Sequence, residues 1–95
     1  MACYPLVPYS NRIGNAELRV GRQTIRLRAN APPEGHALHG FGWQRAWTVA
    51  AKTPHAVELR LPRAADEDWP FACEVRQILR LGDRGDSLQD RKSVV

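Results

Sequence analysis

The sequence has few cysteines, and it contains no long apolar run. Cys3 and Cys73 are the only cysteines among its 95 residues, and two cysteines so far apart do not make a disulfide framework. No apolar stretch approaches the roughly 20 residues that a membrane-spanning helix needs. Residues 1–8 lack the basic start and the apolar core of a signal peptide. We therefore expect no membrane association and a reducing, cytoplasmic setting.

The chain also has no cluster of basic residues, although it is basic overall. The net charge is +4, and almost all of the positive charge is arginine. Such a balance can indicate a nucleic-acid partner, but these arginines are spread along the chain and mostly alternate with apolar residues. That pattern is typical of solvent-facing positions on strands. We expect no nucleic-acid partner, and a small basic β-module that binds nucleic acid or protein stays an alternative.

The length and composition are those of one small folded unit. A chain of 95 residues forms one domain at most, with 43% hydrophobic and 25% charged residues, which are ordinary values for a globular protein. Short chains bury a smaller fraction of their surface, so a core of this size is marginal.

Alternation of apolar and polar residues predicts strands throughout the chain. Residues 17–27 are predicted to form a hairpin around a Gly21-Arg22 turn, because a period of two on both sides of a glycine is typical of paired strands. Residues 43–53 and 56–61 predict a second pair, with a turn at 53–55, and residues 71–81 predict a long strand. Gln77 and Ile78 interrupt the alternation there, which indicates either a bulge or burial on both faces.

The remaining segments are predicted to connect these strands. Residues 30–42 form a loop with two prolines and two histidines, residues 63–70 an acidic loop, and residues 82–85 a turn. The tail after Asp86 is short and polar. No segment has a helical pattern, and many short strands with turns between them favour an all-β sheet or sandwich.

Three segments together carry a resemblance. They are Pro5-Leu-Val-Pro-Tyr-Ser-Asn-Arg-Ile-Gly14, His36-Ala-Leu-His-Gly-Phe-Gly-Trp43 and Trp69-Pro-Phe71. Their order and spacing, with a hairpin and an asparagine between the first two, resemble the bacterial branch of the aldose 1-epimerase family over residues 3 to about 88. The resemblance implies an all-β fold, a partial galactose-mutarotase-like β-sandwich (supersandwich) of antiparallel strands and hairpins. It implies one partial domain over residues 1–95, with a divergent tail at 88–95.

The family interconverts the α and β anomers of a hexose. The ring oxygen gains a proton while the anomeric hydroxyl loses one, so the reaction needs a positioned acid and a positioned base, without a metal or another cofactor. Histidine suits the acid role because it exchanges protons near neutral pH. A carboxylate suits the base role. The resemblance therefore implies an aldose of the glucose or galactose type as the partner of this chain.

Three residues match sugar-contacting positions of the family. His39 matches the histidine beside the ring oxygen, which implies a catalytic and substrate-binding role, and Asn11 and Arg12 match the Asn-Arg pair that binds sugar hydroxyls. Each also has an ordinary alternative. Arg12 could form a surface salt bridge, Asn11 could be a turn residue that bonds its own backbone, and His39 could be a loop histidine satisfied by a carbonyl.

Other residues of these segments have weaker cases. His36 and His39 could form half of a metal site with Cys3 or Cys73, but zinc sites show tighter pairings of ligands, so we expect no metal. The aromatic residues could stack on a sugar or pack in a core. We favour the core for Trp47 and Phe71 and leave both interpretations open for Trp43.

The resemblance also has two departures. By the resemblance, the proton-donating histidine and the base glutamate of the family lie well downstream of the long strand at 71–81 and cannot be mapped onto this chain, and residues 89–95 match the family poorly. We therefore expect a fragment that keeps sugar-binding residues but has an incomplete catalytic set and is inactive on its own. A non-catalytic carbohydrate-binding remnant is the alternative. A cut sheet leaves an unpaired edge, so we also expect self-association through that edge.

Overall fold

The computed structural model describes residues 4–95, so Cys3 lies outside the described part. Within residues 4–95 the regular elements are eight strands and two short 3₁₀ turns, which confirms the predicted all-β, antiparallel class. No helix in this range is long and apolar enough to cross a membrane. The chain divides into two compact units, the first made of residues up to 44 together with 64–72, and the second of residues 45–63 and 73–95.

The first unit contains four short strands. They are β1 (Arg12–Ile13), β2 (Glu17–Val20), β3 (Gln23–Arg26) and β4 (Ala37–Leu38), with 3₁₀ turns at Gly14–Ala16 and Gly42–Gln44. β2 and β3 pair antiparallel, with Val20 opposite Gln23, which confirms the predicted hairpin. Gly21 in the turn has a φ of +61°, a conformation that glycine adopts without steric cost.

The segment predicted as a loop, residues 30–42, contains a strand. β4 pairs antiparallel with β1, so that Arg12 faces Leu38 and Ile13 faces Ala37. The loop prediction was wrong at these positions. A two-residue strand has no periodicity, and its partner lies far away in the sequence.

The core of the first unit is built around small residues. Ala16, Leu27 and Ala37 are buried together, and Tyr9, Ile13, Leu18 and Ile25 pack against them. Alanine at two of the three central positions lets the backbones approach closely. Val7 and Phe41 are also buried, and both belong to the segments that carry the resemblance.

The second unit is one antiparallel sheet of four strands in chain order. The strands are β5 (Thr48–Lys52), β6 (Ala56–Arg63), β7 (Cys73–Leu81) and β8 (Leu88–Val94). The turn at residues 53–55 is confirmed by the Thr53 N–H, which donates to the Ala56 carbonyl over 2.9 Å. The strand predicted from residue 43 begins only at Thr48, because Gly42–Gln44 forms a 3₁₀ turn.

The interruption at Gln77 and Ile78 is not a bulge in the pairing of β6 with β7. The register runs without a shift from Ala56 opposite Arg80 to Arg63 opposite Cys73. Gln77 is 6% exposed, and its amide donates to both carboxylate oxygens of Asp90, over 3.1 and 3.2 Å. A hydrogen-bonded amide therefore occupies a position where the alternation led us to expect an apolar residue.

The prediction that Phe71 packs in the core needs correction. Phe71, expected in the core, precedes β7 and is 44% exposed, whereas Trp47 is half-buried. The divergent polar tail forms strand β8, which pairs with β7 from Leu81 opposite Leu88 to Val75 opposite Val94. Backbone pairing with β7 orders this segment although every residue of β8 is exposed.

Candidate functional site

Asn11 and His39 hold each other by two reciprocal hydrogen bonds. The backbone N–H of Asn11 donates to Nδ1 of His39 over 2.9 Å, and the backbone N–H of His39 donates to the Asn11 carbonyl over 2.9 Å. Both residues have left-handed backbones, with φ of 66° and 62°. Asparagine and histidine are enriched among the non-glycine residues with positive φ. The structure thus joins two of the three residues that the resemblance singled out.

This arrangement fixes which ring nitrogen of His39 carries the proton. A nitrogen that accepts a hydrogen bond from an amide has a lone pair and no proton, so Nδ1 is the acceptor and Nε2 carries the hydrogen. One alternative was that His39 is a loop histidine whose ring bonds to a carbonyl. That alternative does not hold for Nδ1, because its partner is an amide N–H. The half-buried ring presents Nε2–H as its donor.

His36 repeats the same contact at the other end of the β1–β4 pairing. The backbone N–H of Asn15 donates to Nδ1 of His36 over 2.9 Å, and Asn15 has a φ of 55°. We call the Asn11–His39 and Asn15–His36 contacts the two imidazole clamps. Each clamp uses Nδ1. Among residues 4–95 there is no group of three or more histidine, cysteine, aspartate or glutamate residues that could hold a metal ion.

Arg12 lies on β1, next to the Asn11–His39 clamp. Its Cα partner on β4 is Leu38, the neighbour of His39, and its side chain is exposed. The pairing of β1 with β4 therefore places Arg12 one position from the clamp. The Arg12 guanidinium is therefore open to solvent beside the Asn11–His39 clamp.

Asn30 positions β4 from the side away from β1. Its Oδ1 accepts the Leu38 N–H over 2.6 Å, and its Nδ2 donates to the Leu38 carbonyl over 3.0 Å. The backbone N–H of Asn30 also donates to the His36 carbonyl over 3.1 Å. The side-chain amide thus takes the place of a neighbouring strand. Sequence reasoning assigned no role to Asn30, although it is the asparagine that precedes the histidine segment.

Gly40 fixes the backbone immediately after His39. It has a φ of +65°, and a Cβ on it would lie 2.1 Å from the Val7 carbonyl oxygen. That same oxygen accepts the N–H groups of Phe41, over 2.9 Å, and Gly42, over 3.1 Å. Only a residue without a side chain fits at this close approach. The position of His39 is therefore tied to the backbone of the first sequence segment.

Aromatic rings lie beside His39. The Trp43 ring is 6.3 Å from the His39 ring between centroids, at an interplanar angle of 88°, and its Nε1–H donates to the Gly40 carbonyl over 3.3 Å. Tyr4, 51% exposed, lies 5.8 Å from Trp43 at 31°. The two rings form an aromatic surface next to the imidazole that is partly open to solvent.

Tyr9 also contacts the backbone of the site, and sequence reasoning did not identify it. Burial raises the pKa of the Tyr9 hydroxyl, the backbone hydrogen bond from Gly40 lowers it, and the charge of Asp68 raises it further, with a net upward shift. The hydroxyl therefore stays protonated at neutral pH. Its ring packs 5.8 Å from Trp69. No sequence pattern marks this tyrosine, because its contact is with a backbone group.

Comparison with known proteins adds to this geometry. A segment of 47 residues is 43% identical to "Uncharacterized protein YphB" of Escherichia coli (strain K12) and covers 48% of this chain but 16% of that protein. The matched part of the chain thus spans a small fraction of the relative's length. No solved structure matches the chain. The family model described as aldose 1-epimerase matches residues 1–89, and the chain therefore belongs to the aldose 1-epimerase family.

Proposed function

We propose that Asn11, Arg12 and His39 form the sugar-contacting part of an aldose 1-epimerase site that binds a hexose in its pyranose form. The observation that carries this proposal is the clamp between the Asn11 N–H and His39 Nδ1, 2.9 Å long. It holds the imidazole in one orientation and in one tautomer before any ligand arrives. A donor oriented in advance costs less to immobilise when the ligand binds.

Nε2–H of His39 is the group directed at the sugar. When the ring opens, the ring oxygen gains a proton, so a hydrogen-bond donor at that oxygen stabilises the developing charge and assists proton transfer. Nδ1 keeps the ring in place while Nε2 faces the ligand. Arg12 supplies several N–H donors in a fixed fork, which suits adjacent hydroxyls of a pyranose, and the Asn11 amide provides both a donor and an acceptor.

The aromatic surface of Tyr4 and Trp43 supports a sugar as the ligand. Pyranoses have one face lined by C–H groups, and an aromatic ring can bury that face while its neighbours bond the hydroxyls. Trp43 stands nearly perpendicular to His39, at 88°. A pyranose that rests on the indole would then have its edge near the imidazole. This favours stacking over pure core packing for Trp43.

A second candidate is carbohydrate binding without catalysis. Anomer exchange needs a base that removes the anomeric proton as well as a donor at the ring oxygen. The proposed contacts of Arg12 and of His39 Nε2 with the sugar are both made through donors, which suits binding more directly than proton removal. The two candidates agree on the ligand and differ in whether the chain accelerates the exchange.

Titration of the chain with D-glucose or D-galactose, followed by tryptophan fluorescence, tests the binding site. We expect His39→Gln to raise the dissociation constant about tenfold, which corresponds to the roughly 1.4 kcal/mol of one lost ligand hydrogen bond. His55→Gln is the matched control, because His55 is exposed in the turn between β5 and β6. Equal sugar affinity of the His39→Gln variant and the wild-type chain would contradict the proposal.

Polarimetry separates the two candidate functions. Freshly dissolved α-D-glucose or α-D-galactose changes its optical rotation slowly in buffer, and an active mutarotase accelerates that change. Acceleration that is lost in His39→Gln would support catalysis. Sugar-induced fluorescence changes without acceleration would support binding alone.

A further inference from the structure

We propose that β8 pairs edge to edge with β8 of a second copy of this chain, in one antiparallel register centred on Arg91. β8 is the last strand of the sheet order β5-β6-β7-β8, and among residues 4–95 no strand pairs with its outer side. An unpaired edge presents a row of backbone N–H and C=O groups that can pair with another strand.

The hydrogen bonds to β7 determine which groups of β8 point outward. Val95 and Glu74 exchange both backbone hydrogen bonds, 2.9 and 3.0 Å long. In an antiparallel ladder such pairs alternate with pairs that share none, so Gln89, Arg91 and Ser93 also bond inward to β7. The outward-pointing residues are therefore Leu88, Asp90, Lys92 and Val94. Only these four can form backbone hydrogen bonds with a further strand.

The side chains of β8 on either side of Arg91 are complementary to one another in charge and polarity. If two copies pair antiparallel with Arg91 at the centre, Asp90 faces the partner's Lys92 and Leu88 faces the partner's Val94, and each contact occurs twice. The backbone groups of all four outward-pointing residues then form hydrogen bonds with those of the second copy. Opposite charges and apolar pairs directly across a ladder stabilise it, whereas like charges destabilise it.

The neighbouring registers are poorer. Centring on Asp90 would place that carboxylate opposite its own copy, and centring on Lys92 would place two ammonium groups opposite each other. If one copy of β8 were shifted by one residue relative to the other, each outward-pointing residue would face an inward-pointing residue of the second copy. The backbone hydrogen bonds between the copies would then be lost. The favoured register has one like-charge contact, between the two exposed Arg91 side chains, on the opposite face from Asp90.

The apolar surface around β8 favours a second copy as the occupant. Leu88 is 65% exposed and Val94 is 47% exposed, and they share a face with Asp90 and Lys92. Lys92 Nζ already donates to Asp90 over 2.8 Å within the strand, so the charged groups lie together at the edge. A copy in the Arg91 register would cover both apolar ends with one another. This surface belongs to the second unit and does not depend on the proposed sugar site.

Two charge variants test the register. Asp90→Lys would place lysine opposite lysine at both contacts between copies, and Lys92→Asp would place aspartate opposite aspartate. We expect sedimentation velocity to show a dimer for the wild-type chain and at least about a tenfold rise in its dissociation constant for each variant. An equimolar mixture of the two variants should form a heterodimer, because residue 90 of each chain then faces a residue 92 of opposite charge at both contacts.

The mixture distinguishes contacts between copies from contacts within one chain. Residues 90 and 92 remain alike within each variant chain, so a change in the stability of the strand itself would not be repaired by mixing. Circular dichroism checks that each variant keeps its strands. A monomeric wild-type chain, or a mixture that associates no better than its components, would overturn the proposal.

Arg91→Thr provides a second, independent test. It removes the one like-charge contact of the favoured register, so we expect tighter association than in the wild-type chain. In the other two registers Arg91 would face Gln89 or Ser93, and its replacement would relieve no repulsion. Unchanged or weaker association of Arg91→Thr would exclude the register centred on this residue.

Discussion

Gly40→Ala is the substitution for which the structure makes its sharpest prediction. A Cβ at this position would lie 2.1 Å from the Val7 oxygen, 2.5 Å from the Val7 carbonyl carbon and 2.7 Å from Cδ of Pro8. Two of these atoms belong to the backbone, so no side-chain rotation relieves the overlap. The Val7 peptide must move, and His39 or its neighbours move with it.

The expected cost has two parts. A non-glycine residue at a φ of +65° is disfavoured by about 1 kcal/mol. Displacement of the Val7 carbonyl weakens its hydrogen bonds from Phe41 and Gly42, each of which contributes about 1 kcal/mol. We therefore expect Gly40→Ala to lower the free energy of unfolding by about 3 kcal/mol. That is a large share of the ~5–15 kcal/mol typical of small proteins.

Two other glycines provide matched controls. Gly21 has a φ of +61° but open space where a Cβ would lie, and Gly35 has the same open space without a positive φ. Urea unfolding followed by tryptophan fluorescence should show a loss of about 1 kcal/mol for Gly21→Ala and almost none for Gly35→Ala. If Gly40→Ala costs no more than Gly21→Ala, the overlap with Val7 does not matter and the reasoning fails.

Two further predictions concern the residues that support His39. Asn30→Asp removes the Nδ2 donor to the Leu38 carbonyl and puts a carboxylate oxygen near it, so we expect a loss of about 2 kcal/mol in urea unfolding. Asn15→Asp, at an exposed position, should stay within about 0.5 kcal/mol of the wild-type chain, and equal losses for both would refute the role of Asn30. Because burial raises the pKa of Tyr9, this residue stabilises the fold below its unfolded pKa of about 10, and that contribution disappears as the pH rises through the higher folded value. Alkaline spectrophotometric titration of the wild-type chain and Tyr9→Phe should differ by one ionisation above pH ~10, and a difference below that pH would contradict the assignment.

The strands that could be predicted from the sequence are those with their own repeating pattern. The β2–β3 hairpin follows from alternation around Gly21, and its register agrees with that prediction. β4 could not be predicted in this way, because two residues carry no period and Leu38 is held by the side chain of Asn30. The alternation also failed at Gln77. This side chain is polar but buried, and its amide donates a hydrogen bond to Asp90.

The resemblance identified residues of the candidate site but not the contacts between them. The resemblance singled out Asn11 and His39, but nothing in the sequence indicates that they bond to each other across 28 positions. That contact depends on positive φ values at both residues, which are a property of the folded backbone. Tyr9 and Asn30 could not be identified from the sequence, because their hydrogen-bond partners are backbone groups of Gly40 and Leu38.

The two imidazole clamps connect the stability of the first unit with the chemistry proposed for it. β1 and β4 pair over only two residues each, too few to hold two strands together by backbone bonds alone. The contacts of Asn11 with His39 and of Asn15 with His36 lie at the two ends of this pairing, and each requires an unprotonated Nδ1. One of the two contacts that hold β1 against β4, the hydrogen bond from Asn11 to His39, therefore also orients Nε2–H of His39. In the second unit, by contrast, β6 and β7 pair over eight positions through their backbones. A change that loosens β1 from β4 will consequently also misdirect the imidazole donor, even where it touches neither His39 nor the ligand.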